Sequence, residues 1–479
     1  MILILILLLS LVLRLYLLDT LPGEMWGDVN EHYELAQRIL QGKFFYHYDF
    51  GGDGPLISYL IAFFAKIFGL SFYTIKLTTV FVDILSIVVI YQLALILFKR
   101  KEIAYISSFL MAVSFWNISL SRQGKPYILA PLFVMLVILF LLKRKNILAG
   151  FFIGLGMYSQ ASFWGMFALS FLNPLVFLGS LITSAPFFID LFSNFNSYFN
   201  KDSYMGEKMG ISLALGEKLI RLGDNALKNM MSFNFKGDTG FRHNISGNPH
   251  LDIVSGVFFV IGFLMIIFKT VKEKDHSLLK YFILPFTFVQ LPSILDINNP
   301  SNVPNLGRMA GITPFVYMSI AFVMNKFIKK WKYILAVFLI AIFYLNFRNY
   351  FYIYPRGLPN NNTPFARIIA STMDKYPNNV TVGLVGCCWG EWGQPEPKSI
   401  AHSLKTKREI KYFYLGTDYP PLFCNTLLEK ITNRKFVLFM DPNEPLIEIK
   451  RMACFKNRNL KIIKNGQWKV VKVVEGELE

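Results

Sequence analysis

Apolar stretches of about 20 residues recur along the first three quarters of this 479-residue chain. In hydrocarbon every backbone N–H and C=O must be bonded within its own segment, so such runs are confined to α-helices. The pattern predicts a polytopic membrane protein, and a charged fraction of 17% agrees with it. A net charge of +18 raises the question of nucleic-acid binding, but the basic residues sit in short clusters between apolar runs, where they orient spans. No nucleic-acid partner is expected.

Four basic clusters, Lys99–Lys101, Lys143–Lys145, Lys269–Lys280 and Lys326–Lys332, go to the cytoplasm by the positive-inside rule. The number of spans between successive clusters is then even. The first run, to Leu18, has no basic leader and no small-residue cleavage site, and reads as a retained span leaving a cytoplasmic N-terminus. Further spans are expected at 72–98, 103–120, 126–142 and 147–160, then at 251–268, 281–295, 311–325 and 333–347. Pro55–Phe68 is too short to cross and suits an interfacial or re-entrant helix. The run 163–190, broken at Asn173-Pro174, is expected to form two short helices, giving about 11 spans in all. Two long external loops result, 19–71 and 191–250.

The chain changes character after residue 350. Val380–Val385 and Lys435–Met440 read as buried strands, Ala366–Tyr376 and Pro421–Ile431 as helices, so 351–479 is expected to be a small α/β domain outside the membrane. All four cysteines, Cys387, Cys388, Cys424 and Cys454, lie there, where disulfides are permitted; free buried thiols are the alternative. Trp389, Trp392 and Trp468 could stack on sugars or simply be buried.

The residues able to carry chemistry cluster in the external segments. Asp28 opens an amphipathic helix ending at Gln41, with Val29, Tyr33, Ala36 and Leu40 on one face. Asp28 with Glu31 three residues later is also a capping box, which accounts for both carboxylates structurally. Asp53 lies in Gly51-Gly-Asp-Gly54, where glycine permits close approach of a ligand or simply a turn. Arg122 and Lys125 occupy a tight external turn, suited to a lipid-linked phosphate or to snorkelling. Arg242 and Arg308 stand beside glycines in later loops, as phosphate ligands or solvated charges. Asp83 lies within a span, the position of a coupling carboxylate in a transporter or of a polar helix-packing contact.

These segments resemble the polyprenyl-phosphate-sugar glycosyltransferases of the GT-C fold, in particular the protein O-mannosyltransferases (family 39) and the aminoarabinose transferases of lipid A. The family's Asp-Glu pair falls on Asp28-Val29, so the Asp matches and the Glu does not. Its proline stretch resembles Gly54–Tyr59, its Ser-Arg pair Ser121-Arg122, its Asn-rich loop Arg242–Asn244, and its Arg-Gly-Pro opening of a late span Arg308–Pro314. The run 163–190 is shorter than its counterpart in the family. The resemblance implies a GT-C membrane domain over 1–350 and an extracytoplasmic domain over 351–479. It also implies inverting transfer of a hexosyl or pentosyl group from a polyprenyl- or dolichyl-phosphate donor to a protein, lipid or glycan acceptor. Phosphate leaves readily, so a single carboxylate base suffices, where glycosidases use two. On this reading Asp28 is the base. Asp53, Glu31 and His32 orient the acceptor, and Arg122, Lys125, Arg242 and Arg308 bind the donor phosphate. No cofactor is expected; Asp28, Glu31 and Asp53 are the carboxylates that would hold a divalent metal. The alternatives are a secondary transporter coupled through Asp83 and a flippase or binding protein for polyprenyl lipids. No inverted repeat favours the transporter.

Overall fold

The computed structural model describes residues 1–24, 27–45, 53–200, 203–413, 428–431, 433–443 and 455–478. They group into two compact units, 1–18 with 31–357, and 19–30 with 358–479. The segment 19–30, expected as part of a loop of the membrane domain, is thus grouped with the C-terminal unit.

The membrane unit is helical: α1 (Ile2–Leu15), α2 (Gly27–Leu40, shared with the other unit), α3 (Leu56–Phe68), α4 (Phe72–Phe98), α5 (Lys101–Val113) and α6 (Phe115–Ser121) open it. Among the described residues five helices are long and apolar enough to cross a membrane unaided: Phe72–Phe98, Pro174–Ser193, Ile253–Lys272, His276–Ile294 and Tyr333–Gly357. The pair α5 and α6, bent by 57° at Ser114, makes a sixth if it is one span. The other expected spans are shorter apolar helices, Ile2–Leu15, Pro126–Leu142, Asn146–Gly156 and Ala161–Leu172, because turns interrupt the apolar runs. At the awkward run, a 3₁₀ helix Ala161–Leu172 stops at Asn173, whose side chain accepts from Leu175 N–H (2.9 Å) and opens the next helix. The helix Thr313–Arg348 is broken at Trp331 (φ −137°, ψ 41°). Gly262 meets Ser319 and Val323 before the break, while Phe258 packs on Phe338 and Asp252 accepts from Asn346 after it, so the two halves run antiparallel.

Between α5 and α6 the chain leaves carbonyls that no helical N–H can reach, and inside a membrane these need partners. Arg14 of α1 supplies them, donating to Ala112 O (2.6 Å) and Met111 O (3.1 Å). Its Nε bonds Asp83 Oδ2, and Asn117 Nδ2 donates to Asp83 Oδ1 (3.0 Å). Tyr317 OH donates to Asn117 Oδ1 (2.8 Å), and Phe115 N–H to Asn346 Oδ1 (2.7 Å). Asp83, expected as a coupling carboxylate or a polar helix-packing contact, is a bonded member of a buried network that holds a bent helix.

The expected loop 191–250 contains a 17-residue helix, Leu215–Met231. Its polar Asn225 and Asn229 are buried, while Leu219, Ile220, Leu227 and Met230 are exposed. Asn225 Nδ2 donates to Ile294 O (3.0 Å) and Asp296 O (3.1 Å), which explains the polar inner face; the apolar outer face suits contact with lipid.

The C-terminal unit is built on a five-stranded sheet: β1 (Thr381–Val385), β2 (Ile410–Phe413), β3 (Lys435–Met440), β4 (Phe455–Asn465) and β5 (Trp468–Leu478), in the order β2-β1-β3-β5-β4. β1 is parallel to β2 and β3; β5 is antiparallel to β3 and β4. Side chains of β3 alternate between two cores. Val437 and Phe439 pack with Phe365, Ile369 and Ile400 from helices, and Phe436, Leu438 and Met440 with Val385 and Phe413. β1 and β3 match the expected strands. The β4–β5 hairpin was not anticipated, because Lys-rich β4 lacks a long apolar run. Its turn signal was Gly466, at φ 56°, after Asn465. Cys387 and Cys388 form a disulfide between neighbours; Cys424, Cys454 and residues 421–427 of the expected helix Pro421–Ile431 lie outside the described residues, and 428–430 are helical.

Candidate functional site

In the membrane unit the short segment Asp53-Gly54-Pro55 pairs with the end of another helix. Asp53 forms a bridge with Gln160, Gly54 N–H donates to Ser159 O (2.9 Å) and Leu56 N–H to Tyr158 O (3.1 Å). A Cβ on Gly54 would lie 2.2 Å from Tyr158 O, so only glycine permits this approach. The pairing buries Asp53 and sets its Oδ2 3.5 Å from His32 Nε2, while His32 Nδ1 lies 3.1 Å from Ser58 Oγ on α3. Two of the residues expected to orient an acceptor are thereby brought together. Glu31, the third, is half-buried on α2.

Gln160 also lines a cavity of about 320 Å³. Tyr127, Trp164, Phe199 and Leu291 give it apolar walls, and Lys208, Asp296 and Arg308 give it charge. Asp296 Oδ2 bonds Arg308 and lies 3.4 Å from Lys208 Nζ. Asp296 is buried, and its Oδ1 has no hydrogen-bond partner among the described residues. Burial, reinforced by repulsion from Arg308, lowers the Lys208 pKa against the pull of Asp296. Arg308 was expected; Lys208 and Asp296 were not, since a lone Lys and a lone Asp 88 residues apart carry no motif.

The loop 237–250 packs behind two of the cavity's segments. His243 Nδ1 lies 2.7 Å from Gln123 Oε1, and its ring meets the cavity residue Tyr127 edge-on at 5.1 Å. Asp238 accepts from Leu306 N–H (2.8 Å) and Gly240 N–H (2.7 Å). Burial pushes its pKa up to about 6, opposed by those N–H groups and by Arg308. Burial alone pushes His250, whose Nε2 accepts from Asp238 N–H (3.0 Å), down to about 3. Arg242 is placed by its carbonyl, which accepts from Gln123 Nε2 (2.6 Å) and Tyr354 OH (2.7 Å). Lys125 is buried, its Nζ 5.7 Å from the centre of the Tyr127 ring. Arg122, expected as a phosphate ligand, does not line the cavity. It is fully buried over the Tyr350 and Phe351 rings and donates to Leu13 O (2.8 Å) and Tyr16 O (2.7 Å), closing the end of α1 outside the cavity wall.

Asp28 belongs to the other unit. Helix α2 begins at Gly27, so Asp28 lies in its first turn rather than at the cap position of a capping box, and the helix dipole favours a carboxylate there. Two residues on, buried Asn30 donates to Glu396 Oε2 (2.7 Å) and Ser399 Oγ (2.7 Å), and its Oδ1 lies 3.2 Å from His402 Nδ1. Upstream, Glu24 Oε2 accepts from Ala366 N–H (2.9 Å), Asn362 Oδ1 from Gly23 N–H (2.6 Å), and Asp19 pairs with Arg367 (2.8 Å). The segment carrying Asp28 is thus built into the C-terminal unit on both sides. Trp389 donates to Val470 O (2.8 Å), and Trp392 is 69% exposed. Among the described residues no three His, Cys, Asp or Glu side chains converge as metal ligands.

A family model described as dolichyl-phosphate-mannose-protein mannosyltransferase matches residues 53–189. It begins at Asp53 and takes in Ser121-Arg122 and Gln160; Asp28 lies before it. No curated protein matches the chain in sequence. Among solved structures, ArnT from Cupriavidus metallidurans bound to undecaprenyl phosphate superposes with a TM-score of 0.59 at 10% identity, over 98% of this chain and 97% of that one. The oligosaccharyltransferase of Archaeoglobus fulgidus, in complex with Zn and sulfate, gives 0.50 at 13% identity, over 91% and 68%. The mycobacterial arabinofuranosyltransferase AftD gives 0.50 at 11% identity, over 98% of this chain but 39% of that one. The resemblance read from the sequence therefore holds: the chain is a multi-pass membrane protein with the GT-C fold of these glycosyltransferases and a mannosyltransferase-like segment at 53–189.

Proposed function

We propose that this protein is an integral-membrane glycosyltransferase that moves a sugar from a polyprenyl- or dolichyl-phosphate carrier to a hydroxyl or amine of a protein, lipid or glycan, with inversion, on the extracytoplasmic face. One observation carries the reading: the aromatic-walled cavity holds two cations against one carboxylate, and that carboxylate keeps a buried oxygen, Asp296 Oδ1, with no hydrogen-bond partner among the described residues. Net positive charge beside apolar walls suits a phosphate on a lipid, and a buried acceptor oxygen suits a sugar hydroxyl. The neighbour ArnT, bound to undecaprenyl phosphate, supports the class of ligand.

In the proposed reaction the acceptor oxygen or nitrogen attacks the anomeric carbon from the face opposite the phosphate. Asp28 takes the acceptor proton, and the C–O bond to phosphate breaks with its electrons on the phosphate. Lys208 and Arg308, with Lys125 and Arg242 from the neighbouring turns, offset the growing negative charge. Asp53, held by His32, and Glu31 orient the acceptor. Arg122 is assigned to helix closure instead. The N-terminus is taken as cytoplasmic and the 358–479 unit as extracytoplasmic, with about 11 spans between. Transport coupled through Asp83 is not favoured, because both its oxygens are bonded.

The test is sugar release from a panel of polyprenyl-phosphate sugars by purified protein, wild type against Asp28→Asn. Transfer should fall by roughly 10³-fold with the melting temperature unchanged. Retained transfer in Asp28→Asn removes Asp28 as the base; no turnover with any donor, beside saturable lipid binding, points to a binding or flipping protein.

A further inference from the structure

Helix Ile253–Lys272 starts beside the site, with Asp252 capping it through Val254 and Ser255 N–H, and it runs about 30 Å to a different group of residues. At that far end it and the first half of Thr313–Arg348 part after the Gly262–Ser319 crossing and enclose a hollow of about 590 Å³. The floor is apolar, formed by Leu264, Met265, Phe268 and Phe322. The rim carries Lys269, Lys272 and Lys326 with a single carboxylate, Glu273. Lys272 Nζ lies 5.6 Å from the centre of the Phe268 ring and Lys326 Nζ 5.9 Å from that of Phe322, so two ammonium groups stand over aromatic faces of the floor. Glu273 reaches Lys269 at 3.8 Å and offsets one charge of the three.

Basic clusters alone orient spans and need no hollow. Here the charge of Lys269, Lys272 and Lys326 frames a cleft between two apolar helices. We propose that this cleft is a binding site for an anionic membrane phospholipid, separate from the donor cavity. Its phosphate sits among Lys269, Lys272 and Lys326, and an acyl chain runs over Phe268 and Phe322. Charge complementarity selects the headgroup, and the apolar floor selects a lipid over a free phosphate.

The full-length protein, taken from nanodiscs of phosphatidylcholine with increasing phosphatidylglycerol, is examined by native mass spectrometry. One phosphatidylglycerol should be retained in preference to phosphatidylcholine, and millimolar inorganic phosphate should not displace it. Lys269→Gln, Lys272→Gln and Lys326→Gln together should weaken retention roughly 100-fold. The corresponding Lys→Arg triple should keep the lipid, which separates lost recognition from lost folding. Equal retention of both lipids, displacement by phosphate, or the same loss on replacing Lys99, Arg100 and Lys101 with Gln would overturn the site.

Discussion

Among the described residues of the membrane unit, two arginines pair with a buried aspartate, and the pairs are finished differently. Around Arg14 and Asp83 both carboxylate oxygens are bonded and the guanidinium also closes two backbone carbonyls. Around Arg308 and Asp296 a second cation, Lys208, joins the pair, one carboxylate oxygen keeps no partner among the described residues, and a cavity opens beside them. A buried charge is costly unless its bonding is complete. The complete pair reads as a structural pin for the bend at Ser114. The incomplete pair retains bonding capacity that a ligand can use. Burial of an ionisable residue in a span therefore does not by itself mark function; the unfilled valence does.

The largest effect is expected at the Arg14–Asp83 pair. Asp83→Ala leaves Arg14 buried without its anion and should destabilise the protein by about 3–5 kcal/mol, whereas Asp83→Leu with Arg14→Met should recover in thermal melts only the part owed to the unpaired charge, since the Met111 and Ala112 carbonyls lose their donor. Equal loss in the single and double variants would show that the pair is not the pin. Arg308→Ala should behave in the opposite way: transfer falls by roughly 100-fold with a small change in melting temperature, and Arg308→Lys restores part of it. A large stability loss with normal turnover of the surviving protein would make the second pair structural too.

A smaller effect is expected at Asn30, which ties the segment carrying Asp28 to Glu396 and Ser399. Asn30→Ala should lower kcat by roughly tenfold at unchanged donor KM if it places the base. A change confined to donor KM would exclude that role.

The smallest effect lies in pH dependence, in the loop 237–250. Asp238, raised to about 6, contributes stability when protonated that is lost as pH rises through its folded value. His250, lowered to about 3, contributes stability when neutral that is lost as pH falls below its unfolded value of about 6.5. The two slopes oppose each other between about pH 4 and pH 6, so wild-type melting temperature should be nearly flat there. His250→Gln should unmask a fall with rising pH, and Asp238→Asn a rise.

Much of the frame was legible in the residues. The apolar runs marked the membrane helices, Asn173-Pro174 marked a real break, and Thr381–Val385 and Lys435–Met440 matched strands. Of the cavity's charged residues only Arg308 was legible, because it stood out beside glycines in its own segment. Arg122 stood out equally and turned inward to carbonyls of α1, because an external turn in sequence is not an exposed one in space.

What the sequence by itself determined is the solvent of each segment, since hydropathy and helical or strand periodicity are local properties that need no partner. The tertiary structure decided the partners. Only folding brings Lys208 to Asp296, Arg14 to Asp83, His32 to Asp53, and 19–30 into the C-terminal unit. Those pairings join residues far apart in the chain, and the condition that selects them, a bond for each buried charge and each severed carbonyl, acts on the packed interior as a whole.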